Sequence, residues 1–327
     1  MVDVFRLSSP ALKLEFDAYG ARMTRCLTCD ATGDFADVAP GMDSADDYRR
    51  RGGTMGAIVG RYANRISNGR IHMDGVIVDL DRNDDPHTMH GGTCNFSHRM
   101  WHGEQRTDAV RFHLSSPDGD QGWPGNVTAC VEYRLLRSDT LLIEMSAVSD
   151  RTTYMNILFH GYWNLGGHDN GSVLDHHLRV AADHYLPKSH EGLPTGEILL
   201  VENTPFDFTG GKELGRDIAQ VGRGYGHNLC LRDYQPGRLN KACVLSHAGS
   251  GRSLTIETDQ PGLQLFTANL WDNLPGKGGA FYRAHDAVAL ETQLYPNSPN
   301  TPTFNPSPLC AGQRYRHRMV LTFGPAG

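Results

Sequence analysis

Residues 71–80 read Ile-His-Met-Asp-Gly-Val-Ile-Val-Asp-Leu and carry the clearest fold signal in the chain. Asp74 and Gly75 stand between two runs in which apolar and polar residues alternate. An Asp-Gly pair in this setting favours the two-residue turn of a β-hairpin. The stretch therefore predicts a pair of antiparallel strands.

Similar segments recur at short spacing, separated by turns rich in glycine and proline. One short surface helix is predicted over residues 43–51, and the glycine-punctuated residues 224–228 are interpreted as a turn. Predicted strands cover residues 11–16, 110–114, 127–136, 141–148, 177–181, 242–245, 253–258, 263–268, 287–294 and 315–323. This pattern predicts an all-β fold, a single domain over residues 1–327 built as a large antiparallel β-sandwich.

Composition narrows the class of protein further. Apolar residues make up 39% of the 327 residues, which allows a substantial core, and the formal net charge of −6 argues against a general nucleic-acid binder. No segment approaches the roughly 20 apolar residues of a membrane span, and residues 1–6 lack a secretory pattern. Seven cysteines, an odd number, suit a reducing compartment. We expect a cytoplasmic monomer or homodimer without a nucleic-acid or membrane partner.

One histidine lies among apolar and aromatic residues in Met-Asn-Ile-Leu-Phe-His-Gly-Tyr-Trp-Asn-Leu-Gly-Gly, residues 155–167. In such surroundings His160 could act as an acid or a base, because its pKa is easily shifted across neutrality. The alternative is a structural core histidine that bonds a backbone carbonyl. The local sequence leaves both interpretations open.

A carboxylate interrupts the apolar run Val-Ala-Leu-Glu-Thr-Gln-Leu, residues 288–294. With the two-residue period of a strand, Glu291 and Gln293 point to the same face. Burying a carboxylate is costly unless it is paired or used, so Glu291 is interpreted as functional. His160 and Glu291 together suggest proton transfer on a neutral polar substrate such as a sugar.

Other sites and classes compete with this interpretation. The two arginines of residues 60–69 could bind hydroxyls or belong to a solvated turn. His87 and His90 could ligate a metal, but no third ligand stands at a suitable spacing. A non-catalytic carbohydrate-binding protein, a glycoside hydrolase with paired carboxylates and a cupin-like metal enzyme are the alternative classes.

Several segments, in order, resemble the aldose 1-epimerase (galactose mutarotase) family. They run from about residue 50 to the C-terminus, and their number and order make the resemblance specific. The matching segments are Gly-Arg-Tyr-Ala-Asn-Arg-Ile (60–66), Met-His-Gly-Gly (89–92), residues 118–126, residues 156–167, Leu-Pro-Thr-Gly-Glu (193–197), Thr-Pro-Phe-Asp-Phe (204–208), Gln-Pro-Gly-Leu-Gln (260–264) and Leu-Glu-Thr-Gln (290–293).

The resemblance implies a galactose mutarotase-like supersandwich that binds a monosaccharide and needs no metal or organic cofactor. It implies that Glu291 is the general base and His160 the general acid of ring opening and reclosure. The residues it assigns to binding sugar hydroxyls are Asn64, Arg65, His90 and Gln264. With ordinary pKa values of about 4.3 and 6.5, the pair Glu⁻ and HisH⁺ would exist between those values. Activity should therefore decline as the pH rises well above neutrality.

One position departs from the family pattern. Many members have a Gly-aromatic-Asp-His-Asn segment whose carboxylate contacts a sugar hydroxyl, whereas residues 224–228 here read Gly-Tyr-Gly-His-Asn. Gly226 offers no side-chain acceptor and no charge. Either the substrate differs from galactose at the matching position, or another residue reaches into the site.

Overall fold

The computed structural model describes residues 4–51, 53–73 and 75–325, most of which form antiparallel strands and the loops between them. The N-terminal part contains the helix α1 (Ala45–Arg51) and the strands β1 (Val4–Ser8), β2 (Leu12–Asp17), β3 (Arg22–Cys29), β4 (Phe35–Asp37), β5 (Ile58–Val59), β6 (Arg65–Ile66), β7 (Arg70–Met73), β8 (Val76–Asp79), β9 (Thr88–Met89), β10 (His102–Gln105), β11 (Ala109–Ser116), β12 (Val127–Arg137) and β13 (Thr140–Ser149).

The C-terminal part continues with β14 (Leu158–Phe159), β15 (Tyr162–Trp163), β16 (His177–Val180), β17 (Ala182–Leu186), β18 (Leu199–Leu200), β19 (Lys212–Glu213), β20 (Gly226–Leu231), β21 (Asn240–His247), β22 (Arg252–Thr258), β23 (Gly262–Phe266), β24 (Leu274–Pro275), β25 (Phe281–Tyr282), β26 (Val288–Gln293) and β27 (Arg314–Pro325). Short 3₁₀ helices lie at Ser67–Gly69, Phe96–His98, Asp120–Gly122, Ile218–Val221, Lys277–Gly279, Ser298–Asn300 and Pro302–Phe304. Within the described ranges, no helix has the length and apolar character needed to cross a lipid bilayer.

Two large sheets carry the fold. One has nine strands in the order β10-β11-β12-β13-β27-β22-β21-β16-β19, and the other has six in the order β15-β26-β23-β20-β17-β18. Neighbouring strands in both sheets are antiparallel. The strands β1 to β4 form a separate four-stranded sheet. The predicted all-β, antiparallel fold is confirmed.

The sheets share one apolar core. Along β12 the residues alternate between buried and more exposed positions, so that Val131 and Tyr133 point inward. Leu265 and Leu290 of the six-stranded sheet belong to the same buried cluster. This packing of the two inner faces is that of a β-sandwich, in which apolar burial supplies the main driving force.

Most local predictions agree with the structure. The strands β7 and β8 pair through Met73 and Val76, which confirms the predicted hairpin, although Asp74 of its turn lies outside the described residues. The helix α1 lies within the predicted segment 43–51. The turn predicted at residues 224–228 is wrong in its second half, because β20 begins at Gly226. Pairing with β17 and β23 on both sides overrides the local turn preference of glycine.

Candidate active site

Glu291 is placed by the strand β26, all six residues of which are buried. Val288 and Leu290 enter the core between the sheets, so the alternation of the strand turns Glu291 to the opposite face. On the neighbouring strand β23, Gln264 lies directly opposite Glu291 in the antiparallel register. The two predicted site residues of the C-terminal half are therefore cross-strand neighbours.

His160 lies between β14 and β15, where the chain passes from pairing with β5 to pairing with β26. Its backbone N–H donates to the Ala57 carbonyl at 2.9 Å, and its carbonyl accepts from Gly56 at 2.9 Å. The imidazole stacks on Tyr162 with 4.9 Å between ring centroids. These contacts orient the ring towards the six-stranded sheet.

The side chains of His160 and Glu291 meet. The Nε2 atom of His160 lies 3.6 Å from the Oε2 atom of Glu291, and the residues are only 4% and 2% exposed. A structural core histidine should bond a backbone carbonyl, but the buried Nδ1 of His160 has no hydrogen-bond partner among the described residues. The ring is therefore held by stacking on Tyr162 and by its own backbone, and its Nε2 atom faces Glu291.

Asn64, Arg65 and His90 come together through the short strands β6 and β9, which pair Arg65 with Met89. The His90 backbone N–H donates to the Asn64 carbonyl at 3.0 Å, and the Asn64 N–H donates to His90 Nδ1 at 3.2 Å. This second bond assigns the proton of neutral His90 to Nε2. Arg65 donates to the Asp84 carboxylate at 2.7 Å.

All six residues that the resemblance assigned to the site line one cleft of about 470 Å³. Tyr162, Phe266 and Leu270 add apolar surface to the same cleft, and Tyr162 also packs on Trp271 at 4.8 Å between centroids. A cleft with one apolar wall and several planar polar groups suits a sugar ring, which has apolar faces and a hydroxylated edge.

Sequence reasoning missed three charged residues that line the cleft, Lys188, Glu191 and Arg223. Lys188, in the loop after β17, lines the cleft although no local signal marked it. Of the two arginines of residues 60–69, only Arg65 lines the cleft. Arg61 is buried and donates to the carbonyls of Ser116, Pro117 and Pro124 at 2.8–3.0 Å, which makes it a structural anchor for the loop after β11.

Burial reverses the expected order of acidities in the catalytic pair. It raises the pKa of Glu291 to about 8. It also lowers the pKa of His160 well below the ordinary value, and positive charge on His90 would lower it further. Burial, followed by the charge of Arg65, lowers the pKa of His90 to about 3. Burial of both groups therefore favours their neutral forms, a protonated carboxyl group on Glu291 and an uncharged imidazole on His160.

Comparison with known proteins assigns the chain to a protein family. A sequence model of the aldose 1-epimerase family matches residues 3–322. Galactose mutarotase from Mus musculus is 37% identical over 328 residues, covering 99% of this chain and 95% of the mouse protein. Aldose 1-epimerase from Haemophilus influenzae is 38% identical over 264 residues, covering 79% and 76% of the two chains. The chain therefore belongs to the aldose 1-epimerase family and is an isomerase of that class.

Solved structures agree with this assignment. An aldose epimerase homologue from C. elegans superposes with a TM-score of 0.93 at 27% identity, covering 100% of both chains. Galactose 1-epimerase from Lactobacillus acidophilus has the same fold, with a TM-score of 0.83 at 23% identity and 100% coverage of both chains. The predicted galactose mutarotase-like supersandwich is thereby confirmed.

Proposed function

We propose that this protein interconverts the α and β anomers of a free aldose, with Glu291 as the general base and His160 as the general acid. The observation that carries the proposal is the 3.6 Å contact between Nε2 of His160 and Oε2 of Glu291. Both groups line a cleft that also holds sugar-type donors and acceptors. An anomeric hydroxyl and a ring oxygen are bonded to the same carbon atom, so two proton-transfer groups that lie close together can reach both.

Each step of the reaction conserves the single proton of the pair. Glu291 as carboxylate takes the proton of the anomeric hydroxyl while protonated His160 donates its proton to the ring oxygen, and the C1–O5 bond breaks. The open-chain aldehyde rotates about C1–C2, and the reverse transfers close the ring as the other anomer. While the aldehyde is present, Glu291 is a neutral acid and His160 a neutral base.

The burial of the pair favours this neutral arrangement. Because burial raises the pKa of Glu291 and lowers that of His160, the free site prefers the proton distribution that accompanies the open-chain aldehyde. The charged arrangement is needed only while a cyclic sugar is bound, when the anomeric hydroxyl and ring oxygen hydrogen-bond to the two groups. The site is thus organised for the intermediate rather than for the substrate.

The remaining residues hold the sugar. Asn64, Arg65, His90 and Gln264 line the cleft beside the pair and offer donors and acceptors to hydroxyl groups. Neutral His90 donates through Nε2, since its Nδ1 accepts the Asn64 N–H. Tyr162 stacks against His160 and adds apolar surface to the cleft wall.

Polarimetry of freshly dissolved α-glucose and α-galactose tests the assignment of the base. Glu291→Gln should lower kcat by at least about 100-fold, the usual contribution of a general base to the rate. Its far-ultraviolet circular dichroism spectrum should be unchanged, which shows that the variant is folded. Glu202→Gln, an exposed acid-to-amide change outside the cleft, should retain full activity. Substantial turnover by the folded Glu291→Gln variant would exclude Glu291 as the base.

The proposal also covers the number of domains, the cellular compartment and the partners of the protein. The family match over residues 3–322 and a core cluster that runs from Leu7 to Phe323 support a single domain. All seven cysteines are free, which supports residence in a reducing compartment such as the cytoplasm. The net charge of −6 supports the absence of a nucleic-acid partner. The monomeric or homodimeric state remains a prediction.

A further inference from the structure

We infer that the aldose taken by this site carries a negatively charged substituent, which Lys188 binds in the space that Gly226 leaves open. The inference rests on the proposed mutarotase function and specifies its substrate class. Three features of the cleft carry it: the geometry at Gly226, the unpaired positive charges, and the distance from the catalytic pair.

The ammonium of Lys188 occupies the place of a side chain at position 226. Its Nζ donates to the Gly226 carbonyl at 2.9 Å and would lie 3.0 Å from a Cβ atom built on Gly226. Gly226 lies in a regular strand and does not have a positive φ angle, so its backbone does not require glycine. The absence of a side chain therefore makes room for Lys188, and a cation stands where a side chain of residue 226 would lie.

The positive charge at this end of the cleft is not neutralised. Within the described ranges, neither Lys188 nor Arg223 has a carboxylate within 4.0 Å, although both line the cleft. The third cation, Arg65, is paired with Asp84, while Glu191 of the cleft wall lies 3.7 Å from His87. Burial and the charge of Arg65 lower the pKa of Lys188, and a bound anion would offset both effects.

The distance fits one sugar between the two ends. In the six-stranded sheet Gly226 pairs with Phe266, and two residues along β23, on the same face, Gln264 pairs with Glu291. Gly226 is thus two strands across and two residues along from Glu291, which places their Cα atoms roughly 12 Å apart by strand spacing and rise. That backbone separation is comparable to the span of one monosaccharide with a hydrogen bond of about 3 Å at each end. Its anomeric carbon would face the pair, and its charged group would face Lys188.

A substrate panel tests the inference. The rates of anomerisation of galacturonate, glucuronate and glucose 6-phosphate are compared with those of galactose and glucose at low ionic strength. At least one charged sugar should exceed its neutral counterpart at least tenfold in kcat/KM, chiefly through KM, and should lose that advantage in added salt. Comparison of the two uronates with glucose 6-phosphate shows whether the site prefers a carboxylate or a phosphate group.

Two variants show whether Lys188 is responsible. Lys188→Met should lower kcat/KM for the preferred charged sugar roughly 10- to 100-fold, as expected for the loss of a hydrogen bond to a charged group. Its effect on the matching neutral sugar should be at least about fivefold smaller. Lys241→Met, at an exposed position of β21 outside the cleft, is the matched control and should change neither. Gly226→Asp places a carboxylate beside the ammonium and should move the preference towards neutral sugars.

Neutral sugars that match or exceed charged ones in the unaltered protein would overturn the inference. An equal loss for charged and neutral sugars in Lys188→Met would overturn it as well. If no sugar of either kind is turned over, the proposed mutarotase function fails, and calorimetric titration of the same sugars then decides this inference separately. Preferential binding of a charged sugar that Lys188→Met abolishes would sustain it, whereas equal binding would refute it.

Discussion

The alkaline limb of the pH–rate profile tests the protonation of the catalytic pair. The pair of His160 and Glu291 works with one proton, and burial raises the pKa of Glu291 to about 8. Below that pH the pair of His160 and Glu291 keeps its proton. Above it, Glu291 is a carboxylate and His160 a neutral imidazole, so neither group can protonate the ring oxygen of the sugar. Activity therefore falls as the pH rises through about 8.

The size of the effect follows from a single titration. Far above the pKa, kcat/KM for a neutral aldose should fall about tenfold per pH unit, leaving about 3% of the neutral value at pH 9.5. On the acid side a second proton must bind His160, whose pKa lies well below the ordinary value. The acid limb should therefore lie well below pH 6.5.

Polarimetry of α-galactose between pH 5 and 10 measures the profile, with the rate of spontaneous mutarotation subtracted at each pH. Circular dichroism at pH 9.5 establishes that the protein is still folded there. A profile that stays level to pH 9.5 would show that the reaction does not need the proton of the pair. A limb centred near 6.5 would show instead that an imidazole with an ordinary pKa controls the rate.

Two further predictions concern stability. Because the folded protein binds the proton of Glu291 more tightly than the unfolded chain does, the stability linked to this group is present below the ordinary pKa and is lost as the pH rises towards 8. The Tm of Glu291→Gln relative to the unaltered protein should accordingly increase from pH 5 to pH 8.5, and a constant difference would contradict the raised pKa. Lys277→Met should lower the free energy of unfolding in urea by about 3–5 kcal/mol, because the buried ammonium bonds the Asp37 carboxylate at 2.6 Å and the carbonyls of Thr24 and Ala39. Lys241→Met is again the control, and an equal effect in both variants would refute the role of the buried ion pair.

The two-residue period of apolar residues in the sequence was sufficient to predict the main strands of the sandwich. The long strands β12 and β13 alternate between buried and more exposed positions over most of their length, and this two-residue period is a local property of the chain. The strand β20 was missed because its first residue is a glycine that follows other turn residues. Its strand conformation is fixed by pairing with β17 and β23, which lie far from it in sequence.

The identity of the catalytic residues was predictable, but their electrostatics were not. Glu291 stood out because it interrupts an apolar strand, and the register Tyr162–Ala289 is what brings His160 to it. That register joins segments more than 120 residues apart and leaves no local trace. The reversed order of pKa values depends on the burial of both groups, which ordinary values for isolated side chains do not contain.

The two ends of the cleft depend on different physical effects, burial at the catalytic end and a solvent-accessible charge at the other end. At the catalytic end, β26 is buried along its whole length, so the low-polarity surroundings set where the proton of the pair resides. At the other end, Lys188 is solvent-accessible and belongs to a loop, so its charge can be replaced without repacking the core. Gly226 and Glu291 lie on strands separated by β23. A change of charge at position 188 or 226 should therefore alter which sugar is held while leaving the protonation of the pair nearly unchanged, because burial, and not a charge at the other end of the cleft, raises the pKa of Glu291. Such a division lets one acid–base pair serve different aldoses.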